Sequence, residues 1–381
     1  MSIQRRRRKA SPVHTVRGSV AFEAKMQGRE AGYHGGYEDG YVRGRADVIA
    51  SRPAEVFPFR QMHVLYVTSG KGYPYSPLDE AIAATLRTQV AEVTVIEPGQ
   101  PIAEMAIQMK PDLVLGLDGM YLPNEQIDAV RENGIRTAIW LTDDPYYTDM
   151  TTQSVTHYDY VFTLESNCIP LYKELGCVNV HHLPFAAYTG HYHPLKTPSP
   201  VRREISFIGS AYWNRVNFLS PIMGNLMQHN TMVNGIWWDR LPEYGLYQHK
   251  IELNKWMGPE DTAAAYNSSK IVINLHRSHE DDSVNNNAIK IPAGSPNPRT
   301  FEISACATLQ LSDSRDDLTK FYTPGVEIET YSSPQELLEK VEYYLTHEKE
   351  RCEIALNALQ RTYRDHTYNN RIHEMLSIIF P

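Results

Sequence analysis

MHVLYVT, at residues 62–68, is an apolar run with β-branched and aromatic residues and the length of a buried strand. Four more runs of this kind follow: EVTVIE (92–97), DLVLGL (112–117), TAIWLT (137–142) and YDYVFTL (158–164). Amphipathic segments predict helices at 78–90, 101–109, 124–133 and 166–175. Strands that alternate with helices are typical of a parallel sheet covered on both faces. We therefore predict a doubly wound α/β domain over residues 61–185.

The same alternation begins again after LPFAAYTGHYHPLKTPSP (183–200), a stretch rich in Pro and His that predicts a linker at 186–200. The second set of predicted strands comprises EISFIG (204–209), TMVNGIW (231–237), KIVINLH (270–276), TLQLSD (308–313) and VEIET (326–330), with helices at 213–226, 259–267 and 299–306. Long helices follow at 334–346, 348–364 and 367–379. These segments predict a second domain at 201–365 and a ligand cleft at the carboxyl ends of both sets of strands.

The first 60 residues differ from the rest in charge. They hold 12 Lys and Arg against 6 Asp and Glu, or +6, whereas residues 61–381 hold 25 against 39, or −14. An acidic body argues against nucleic-acid binding. The run Arg5, Arg6, Arg7, Arg8 and Lys9 has no apolar stretch behind it, so it is interpreted as a solvated tail or as a tether to an acidic surface rather than as a secretory signal.

A four-residue repeat marks the segment 20–50. Its two series are Gly28, Gly32, Gly36, Gly40, Gly44 and Tyr33, Tyr37, Tyr41. A period of four is close to the 3.6 residues of a helical turn, so the series would form adjacent ridges on one helix. Each glycine costs a helix about 1 kcal/mol relative to alanine. Two interpretations stand: a helix packed on its own body or on a second copy, which would make a homo-oligomer, and a flexible arm.

The whole composition indicates a soluble globular chain of 381 residues, with 42% hydrophobic and 22% charged residues. No uncharged apolar run approaches the roughly 18 residues that a membrane helix needs, so we expect no transmembrane segment. The four cysteines have no CxxC spacing, which favours neither a zinc site nor a disulfide framework and predicts a reducing, cytoplasmic location.

Candidate site residues follow the predicted strands of the first domain. Gly70 and Gly72 lie in the turn TSGKGYPYSPLDEA (68–81), which is either a plain strand-to-helix turn or part of an acceptor site. Asp143 and Asp144 follow a buried strand in WLTDDPYYTD (140–149). Buried carboxylates are costly without partners, so they either cap the next helix or act in the cleft on an acceptor hydroxyl, one of them as general base.

The second domain repeats this arrangement. In FIGSAYWNR (207–215), Gly209 and Ser210 allow close backbone approach, and Arg215 lies about one helical turn later, within reach of a pyrophosphate. NLHRS (274–278) ends a strand with Asn274 and His276. His276 is either a structural histidine or a second candidate for a catalytic residue, because strand ends face the predicted cleft.

Arg299 and Glu302 share one helix face in SPNPRTFEISACATLQLSD (295–313). A carboxylate in a first helical turn can accept hydrogen bonds from the two hydroxyls of a ribose, and an arginine beside it can pair with phosphate. The alternative is an ion pair within a solvated helix.

The segment 297–376 resembles the C-terminal half of CgeB-type spore-maturation glycosyltransferases, whose pattern R-x-F-E-x-x-A-C-G precedes a D-x-R-x-x-L-x-x-x-F-x-P-G-x-E block. DDP (143–145), FIGSAYWNR (207–215) and KIVINLHR (270–277) also resemble landmarks of that family, so the resemblance covers about residues 62–378. The chain departs from the pattern after the A-C pair, where the family usually has glycine, and in the repeat at 20–50.

The resemblance implies a GT-B architecture: two Rossmann-like domains and a last helix at 366–381 that crosses back to the first domain. The basic N-terminal arm at 1–60 is expected to belong to neither domain. It further implies a nucleotide-sugar donor, expected to be a UDP-sugar, held mainly by the second domain, and an acceptor held mainly by the first. Glu302 would bind the donor ribose, and Arg215 and Arg299 would neutralise the diphosphate.

The expected function is therefore transfer of a hexose-like sugar, without a metal or other cofactor, to a carbohydrate or protein acceptor on a surface such as a spore coat. Inversion and retention of configuration both stay open. The alternative function is a non-catalytic assembly protein that keeps this fold and recruits partners through the arm. A sugar-nucleotide epimerase is disfavoured, because GxGxxG and Tyr-x-x-x-Lys motifs are missing.

Overall fold

The computed structural model of the chain describes residues 13–53 and 55–381. They belong to two compact units, one that ends at Val48 and one from Ile49 to Pro381. The predicted basic tail, from Arg5 to Lys9, lies outside the described residues. Among the described residues, no helix has both the length and the apolar character needed to cross a bilayer.

The Gly/Tyr repeat lies on one helix, α1 (Val13–Ala50), 38 residues long. A Cβ at any of the five glycines of the repeat would find no heavy atom within 4 Å apart from the helix's own backbone. Tyr33, Tyr37 and Tyr41 are 71%, 67% and 59% exposed. The segment is thus helical, and it presents a smooth glycine ridge next to a ridge of aromatic rings.

The first sheet of the second unit consists of six parallel strands. They are β1 (Arg60–Val67), β2 (Val90–Ile96), β3 (Leu113–Leu117), β4 (Arg136–Trp140), β5 (Tyr160–Thr163) and β6 (Asn179–His182). The helices between them are α2 (Ser76–Gln89), α3 (Ile102–Met109), α4 (Asn124–Glu132), α5 (Thr148–Thr151) and α6 (Cys168–Glu174). The strand order is β2-β1-β3-β4-β5-β6, so the winding reverses between β1 and β3.

The second sheet also has six parallel strands. They are β7 (Arg203–Ile208), β8 (Thr231–Gly235), β9 (Ile251–Leu253), β10 (Ser269–Asn274), β11 (Leu309–Asp313) and β12 (Glu329–Tyr331). The helices of this half are α7 (Trp213–Leu226), α8 (Tyr244–Tyr247), α9 (Pro259–Ser268), α10 (Pro298–Ala305), α11 (Leu318–Phe321), α12 (Pro334–Thr346) and α13 (Glu348–Asp365). The order β12-β11-β10-β7-β8-β9 reverses between β7 and β10, as in nucleotide-binding sheets.

The predicted α/β class with two doubly wound parallel sheets is confirmed. Strands β6 and β9 are additions that the sequence analysis did not contain. They are edge strands of only four and three residues, NVHH and IEL, which are too short to show a hydrophobic periodicity. Pairing with a neighbouring strand, rather than the composition of either segment, makes them strands.

The last helix, α14 (Tyr368–Ile379), belongs to the core of the first half. Its Ile372, Met375 and Ile379 are fully buried in the cluster that also holds Trp140 of β4. The segment before the second sheet is packed as well, because Ala187 pairs with Thr367 just ahead of this helix. The predicted domain and linker boundaries at 60, 185, 200 and 365 stay predictions.

Truncation of the Ile372 side chain measures how much α14 stabilises the first half. Ile372→Ala removes a fully buried side chain, so we expect the free energy of unfolding to fall by about 2–5 kcal/mol. Urea denaturation at an unchanged m-value measures this. Glu374→Ala, on the exposed face of the same helix, should change it by about 0.5 kcal/mol or less. Equal effects of the two substitutions would contradict the burial of this helix.

Candidate functional site

A cavity of about 410 Å³ lies at the carboxyl ends of both sheets. It is lined by the loops that follow β1, β4, β5 and β6 in the first half and β7, β8, β9 and β10 in the second, together with α9 and α10. Ligands of doubly wound sheets bind at the carboxyl edge where the winding reverses, and β1, β7 and β10 flank those points. The cavity therefore lies where the sheet topology predicts a ligand site.

Eight of the nine site residues predicted from the sequence line this cavity. They are Asp143, Asp144, Gly209, Ser210, Arg215, His276, Arg299 and Glu302. The ninth, Asn274, is buried behind the start of α10, where its amide donates to Thr300 Oγ1 at 3.1 Å and to Asn297 Oδ1 at 3.2 Å. The sequence thus locates most of the cavity wall, whereas Asn274 supports that wall from behind.

Two arginines converge on the end of β7. A Cβ at Gly209 would lie 3.0 Å from Nη1 of Arg215 and 3.3 Å from Nη2 of Arg299, so only glycine leaves both guanidinium groups this close to the backbone. Among the described residues, no carboxylate forms an ion pair with either arginine. The cavity therefore holds two cations side by side, an arrangement that an anion would stabilise.

Arg215 is held by backbone carbonyls. Its Nε donates to the carbonyl of Leu275 at 2.8 Å, and its Nη1 donates to that of Ser210 at 2.9 Å. Burial, followed by repulsion from Arg299, lowers the pKa of Arg215 to about 9. The residue is still protonated at neutral pH, and its orientation is fixed before any ligand enters.

Glu302 lies on α10, whose N-cap is the side chain of Asn297 accepting from the backbone N–H of Thr300 at 3.1 Å. Burial raises the pKa of Glu302 to about 7, and Arg299 opposes this change. Glu302 and Arg299 line the cavity and are only partly exposed, so the interpretation of α10 as a solvated helix with an exposed ion pair does not fit these surroundings.

The two adjacent aspartates have different surroundings. Asp144 is buried and accepts from Thr163 Oγ1 at 2.6 Å and from the hydroxyl of Tyr172 at 2.8 Å. Burial raises its pKa to about 6. Asp143 has a side chain that is 22% exposed and accepts from the hydroxyl of Tyr75 at 2.8 Å. Asp143 is thus the more accessible carboxylate of the pair.

Lys71 and Asp118 form a charged cluster with Asp143, and neither of them was predicted from the sequence. Nζ of Lys71 lies 2.8 Å from Oδ1 of Asp118 and 3.5 Å from Oδ2 of Asp143. Oγ1 of Thr142 lies within hydrogen-bond distance of both carboxylates and donates its one proton to one of them at a time. Their positions could have indicated a site, because Lys71 lies between Gly70 and Gly72 in a strand-to-helix turn and Asp118 directly follows the apolar run of β3. Only the winding reversal brings these two strand ends together.

His276 uses both ring nitrogens. Nδ1 lies 2.5 Å from Oδ1 of Asp313, and Nε2 accepts from the backbone N–H of Asn297 at 2.9 Å. Burial lowers the pKa of His276 to about 4. The catalytic role stays a prediction, and the partners Asp313 and Arg315 were not among the residues selected from the sequence.

The two halves are joined around the cavity. The carboxylate of Glu165, after β5, accepts from the backbone N–H groups of Gly294 and Ser295 at 2.9 Å each. The hydroxyl of Tyr146 donates to the carbonyl of Arg277 at 3.0 Å, and the guanidinium of Arg277 lies 4.6 Å from the centre of the Tyr146 ring. Arg277 is a further cation at the cavity that the sequence analysis did not select.

Comparison with known proteins supports a relation to glycosyltransferases. Residues 214–377 match the sequence model of the glycosyl transferase-like family. The chain is 29% identical over 310 residues to the spore protein CgeB of Bacillus subtilis (strain 168), an alignment that covers 81% of this chain and 96% of that protein. The cavity residues on α7 and α10 fall inside the family match.

Solved structures share the fold at low sequence identity. The sucrose-phosphate synthase tll1590 of Thermosynechococcus elongatus is 10% identical, with a TM-score of 0.58, and the match covers 84% of this chain and 98% of that one. Anabaena Alr3699/HepE, solved in complex with UDP and glucose, is 12% identical, with a TM-score of 0.58 and coverage of 83% and 100%. A glycosyltransferase of Rickettsia africae ESF-5 is 11% identical, with a TM-score of 0.59 and coverage of 84% and 98%.

These matches confirm the resemblance that the sequence predicted: the chain has the two-sheet GT-B fold, its residues 214–377 match the glycosyl transferase-like family, and most of its length is similar to the spore protein CgeB.

Proposed function

We propose that the protein is a glycosyltransferase that binds the diphosphate of a nucleotide-sugar donor, expected to be a UDP-sugar, at Arg215 and Arg299. One observation carries the proposal: two guanidinium groups converge on Gly209 inside the cavity, and no carboxylate of the described chain is paired with them. Two adjacent cations in a cavity repel each other until an anion binds between or beside them. A diphosphate carries the charge that this site lacks.

The backbone supports the same anion. Helices α7 and α10 begin at the cavity, so their first N–H groups and the positive ends of their dipoles face a ligand there. Charge develops on the departing diphosphate as the bond to the sugar breaks, and fixed cations stabilise that charge without reorganisation. We propose that these arginines and helix ends take the role that a metal ion has in other transferases.

Glu302 is proposed to bind the donor ribose. Its carboxylate lies on the same helix as Arg299, one turn further along, so a nucleoside diphosphate held by the arginine brings its ribose hydroxyls toward Glu302. Two hydroxyl donors on one buried carboxylate would form strong hydrogen bonds. The roles of Gly209, Ser210 and Asn274 in holding the donor stay predictions of the same kind.

On the acceptor side we propose Asp143 as the general base for a direct displacement. It is the more exposed of the two aspartates, and Nζ of Lys71 lies 3.5 Å from its Oδ2 at the cavity. Asp144 is enclosed by Thr163 and Tyr172 and would act by holding the strand end. A reaction with retention would rely on the leaving-group stabilisation described above and would not need this base.

The acceptor is proposed to be a carbohydrate or protein of a cell or spore surface, modified by a cytoplasmic hexosyltransferase. Support comes from the relative named spore protein CgeB and from HepE, whose solved complexes contain UDP, glucose or UDP-glucose. A second candidate function is non-catalytic assembly through α1. The exposed tyrosine and glycine ridges favour it, because small residues let two helix backbones approach closely.

Glu302→Ala should weaken UDP binding by about tenfold or more, because hydrogen bonds to a charged group contribute about 1.5–3 kcal/mol each. Calorimetric titration with UDP and with 2′-deoxy-UDP measures this, and the preference for UDP should shrink in the variant. Glu132→Ala, at an exposed position of α4, is the matched control and should bind like the unaltered protein. Unchanged UDP affinity in Glu302→Ala would remove the ribose assignment.

Asp143→Asn should lower the rate of sugar transfer or donor hydrolysis by about 10² to 10⁴, the range of a lost general base, at nearly unchanged UDP affinity. Asp144→Asn should act mainly on stability, because its oxygens are bonded inside the first half. Steady-state rates and thermal unfolding of both variants separate the two roles. Full activity of Asp143→Asn would refute the assignment of the base.

The mass of the protein in solution tests whether two copies associate through the glycine ridge of α1. Gly32→Leu with Gly40→Leu fills the glycine ridge without an internal clash, so it should convert a dimer into a monomer in light scattering while the fold of residues 49–381 persists. Gln27→Leu, on the opposite side of α1 from the glycine ridge, should leave the mass unchanged. Identical masses for all three proteins would rule out self-association through the glycine ridge.

A further inference from the structure

We propose that His276 is a positioning residue of the second half: through Nε2 it holds the backbone N–H of Asn297 and so sets the position of α10, which carries Arg299 and Glu302. The proposal rests on the proposed function only in naming UDP as the ligand of those two residues. It assigns to His276 a role that differs from the catalytic one predicted from the sequence.

The geometry decides which nitrogen carries the proton. A backbone N–H can only donate, so Nε2 of His276 must accept from Asn297 at 2.9 Å. The proton of the neutral ring is then on Nδ1, which donates to Oδ1 of Asp313 at 2.5 Å. Neither nitrogen has a lone pair left for a substrate proton, because one donates and the other is already an acceptor.

Asp313 is itself fixed from two sides. Its Oδ1 also accepts from the backbone N–H of His276 at 2.9 Å, and its Oδ2 accepts from Nε of Arg315 at 3.0 Å. Arg315 in turn donates from Nη1 to the carbonyl of Ala293 at 2.6 Å. The ends of β10 and β11 and the loop before α10 are thus joined in one closed set of hydrogen bonds.

The set continues into the helix that carries the donor-binding residues. Asn297, held by His276 through its backbone, accepts with Oδ1 from the backbone N–H of Thr300 and thereby caps α10. Arg299 and Glu302 lie in the first five residues of this helix of eight. A shift of its start displaces both side chains together, and misplacements near 1 Å can cost a site about 10² in rate.

The charge state agrees with this arrangement. Burial lowers the pKa of His276 to about 4, against the effect of Asp313 and with that of Arg315 and Arg215, the other charged groups that face it. The ring is therefore neutral near pH 7. A protonated ring would direct an N–H at the N–H of Asn297, so the neutral form is the one that can hold the helix.

Two substitutions of His276 test the hydrogen bonds of its two ring nitrogens separately. The amide of Gln reaches the position of Nε2, so His276→Gln keeps an acceptor for the N–H of Asn297 and loses the bond to Asp313. The shorter amide of Asn reaches the position of Nδ1, so His276→Asn keeps the bond to Asp313 and loses the acceptor. The pair thus removes one contact at a time while the ring is lost in both.

The test measures UDP affinity by calorimetry, transfer or donor-hydrolysis rate, and amide hydrogen exchange of the peptide 293–300 in the full-length protein. For His276→Asn we expect about a tenfold loss of UDP affinity and faster exchange, the cost of one buried N–H without an acceptor. For His276→Gln we expect affinity within about threefold of the unaltered protein, preserved exchange protection and preserved rate.

Three outcomes would overturn the proposal: equal losses of affinity in both variants, unchanged exchange in His276→Asn, or a large fall of rate in His276→Gln at unchanged affinity, which would make His276 a catalytic base. Failure of the proposed function has a different signature. The unaltered protein would then bind no UDP, whereas the exchange measurement would still report whether His276 holds Asn297.

Discussion

The parallel pairing of all strands is the constraint on which the site depends. Each parallel strand must be followed by a crossover, so every loop that leaves a strand emerges at the same edge of the sheet. The winding of each sheet reverses at one point, between β1 and β3 and between β7 and β10, where neighbouring loops separate and leave room. The cavity lies at the strand ends that flank these points, and residues from many separate stretches of both halves meet there.

The charged groups of the two halves are held in different ways. Backbone carbonyls at Leu275 and Ser210 accept from Arg215, which compensates part of the cost of burying a cation. Lys71, Asp118 and Asp143 form the opposite arrangement in the first half, where unlike charges are adjacent. The second half thus offers excess positive charge, and the first half offers carboxylates supported by one lysine. This asymmetry agrees with an anionic donor on one side and a hydroxyl acceptor on the other.

Much of the fold could be predicted because its signals are local. The apolar runs of β1, β3 and β10 and the amphipathic segments of α2 and α7 carry their periodicity in a few consecutive residues. Strands β6 and β9 could not be found in this way, because an edge strand of three or four residues is defined by the strand beside it. The repeat at 20–50 allows both a helix and a flexible arm from the sequence, and the structure shows the helix α1.

The amino-acid sequence alone determined the α/β class and the resemblance to a glycosyltransferase family. Of the nine site residues that it predicted, eight line the cavity, because strand ends and glycine turns can be recognised from consecutive residues. Only the tertiary structure decided what each of them contacts. It separated Asp143 from Asp144, although they are neighbours in sequence, and it joined His276 to Asp313 and Asn297, which are 37 and 21 residues away. The physical reason is that hydrogen bonding and burial depend on distances across the sheet, which sequence spacing does not encode.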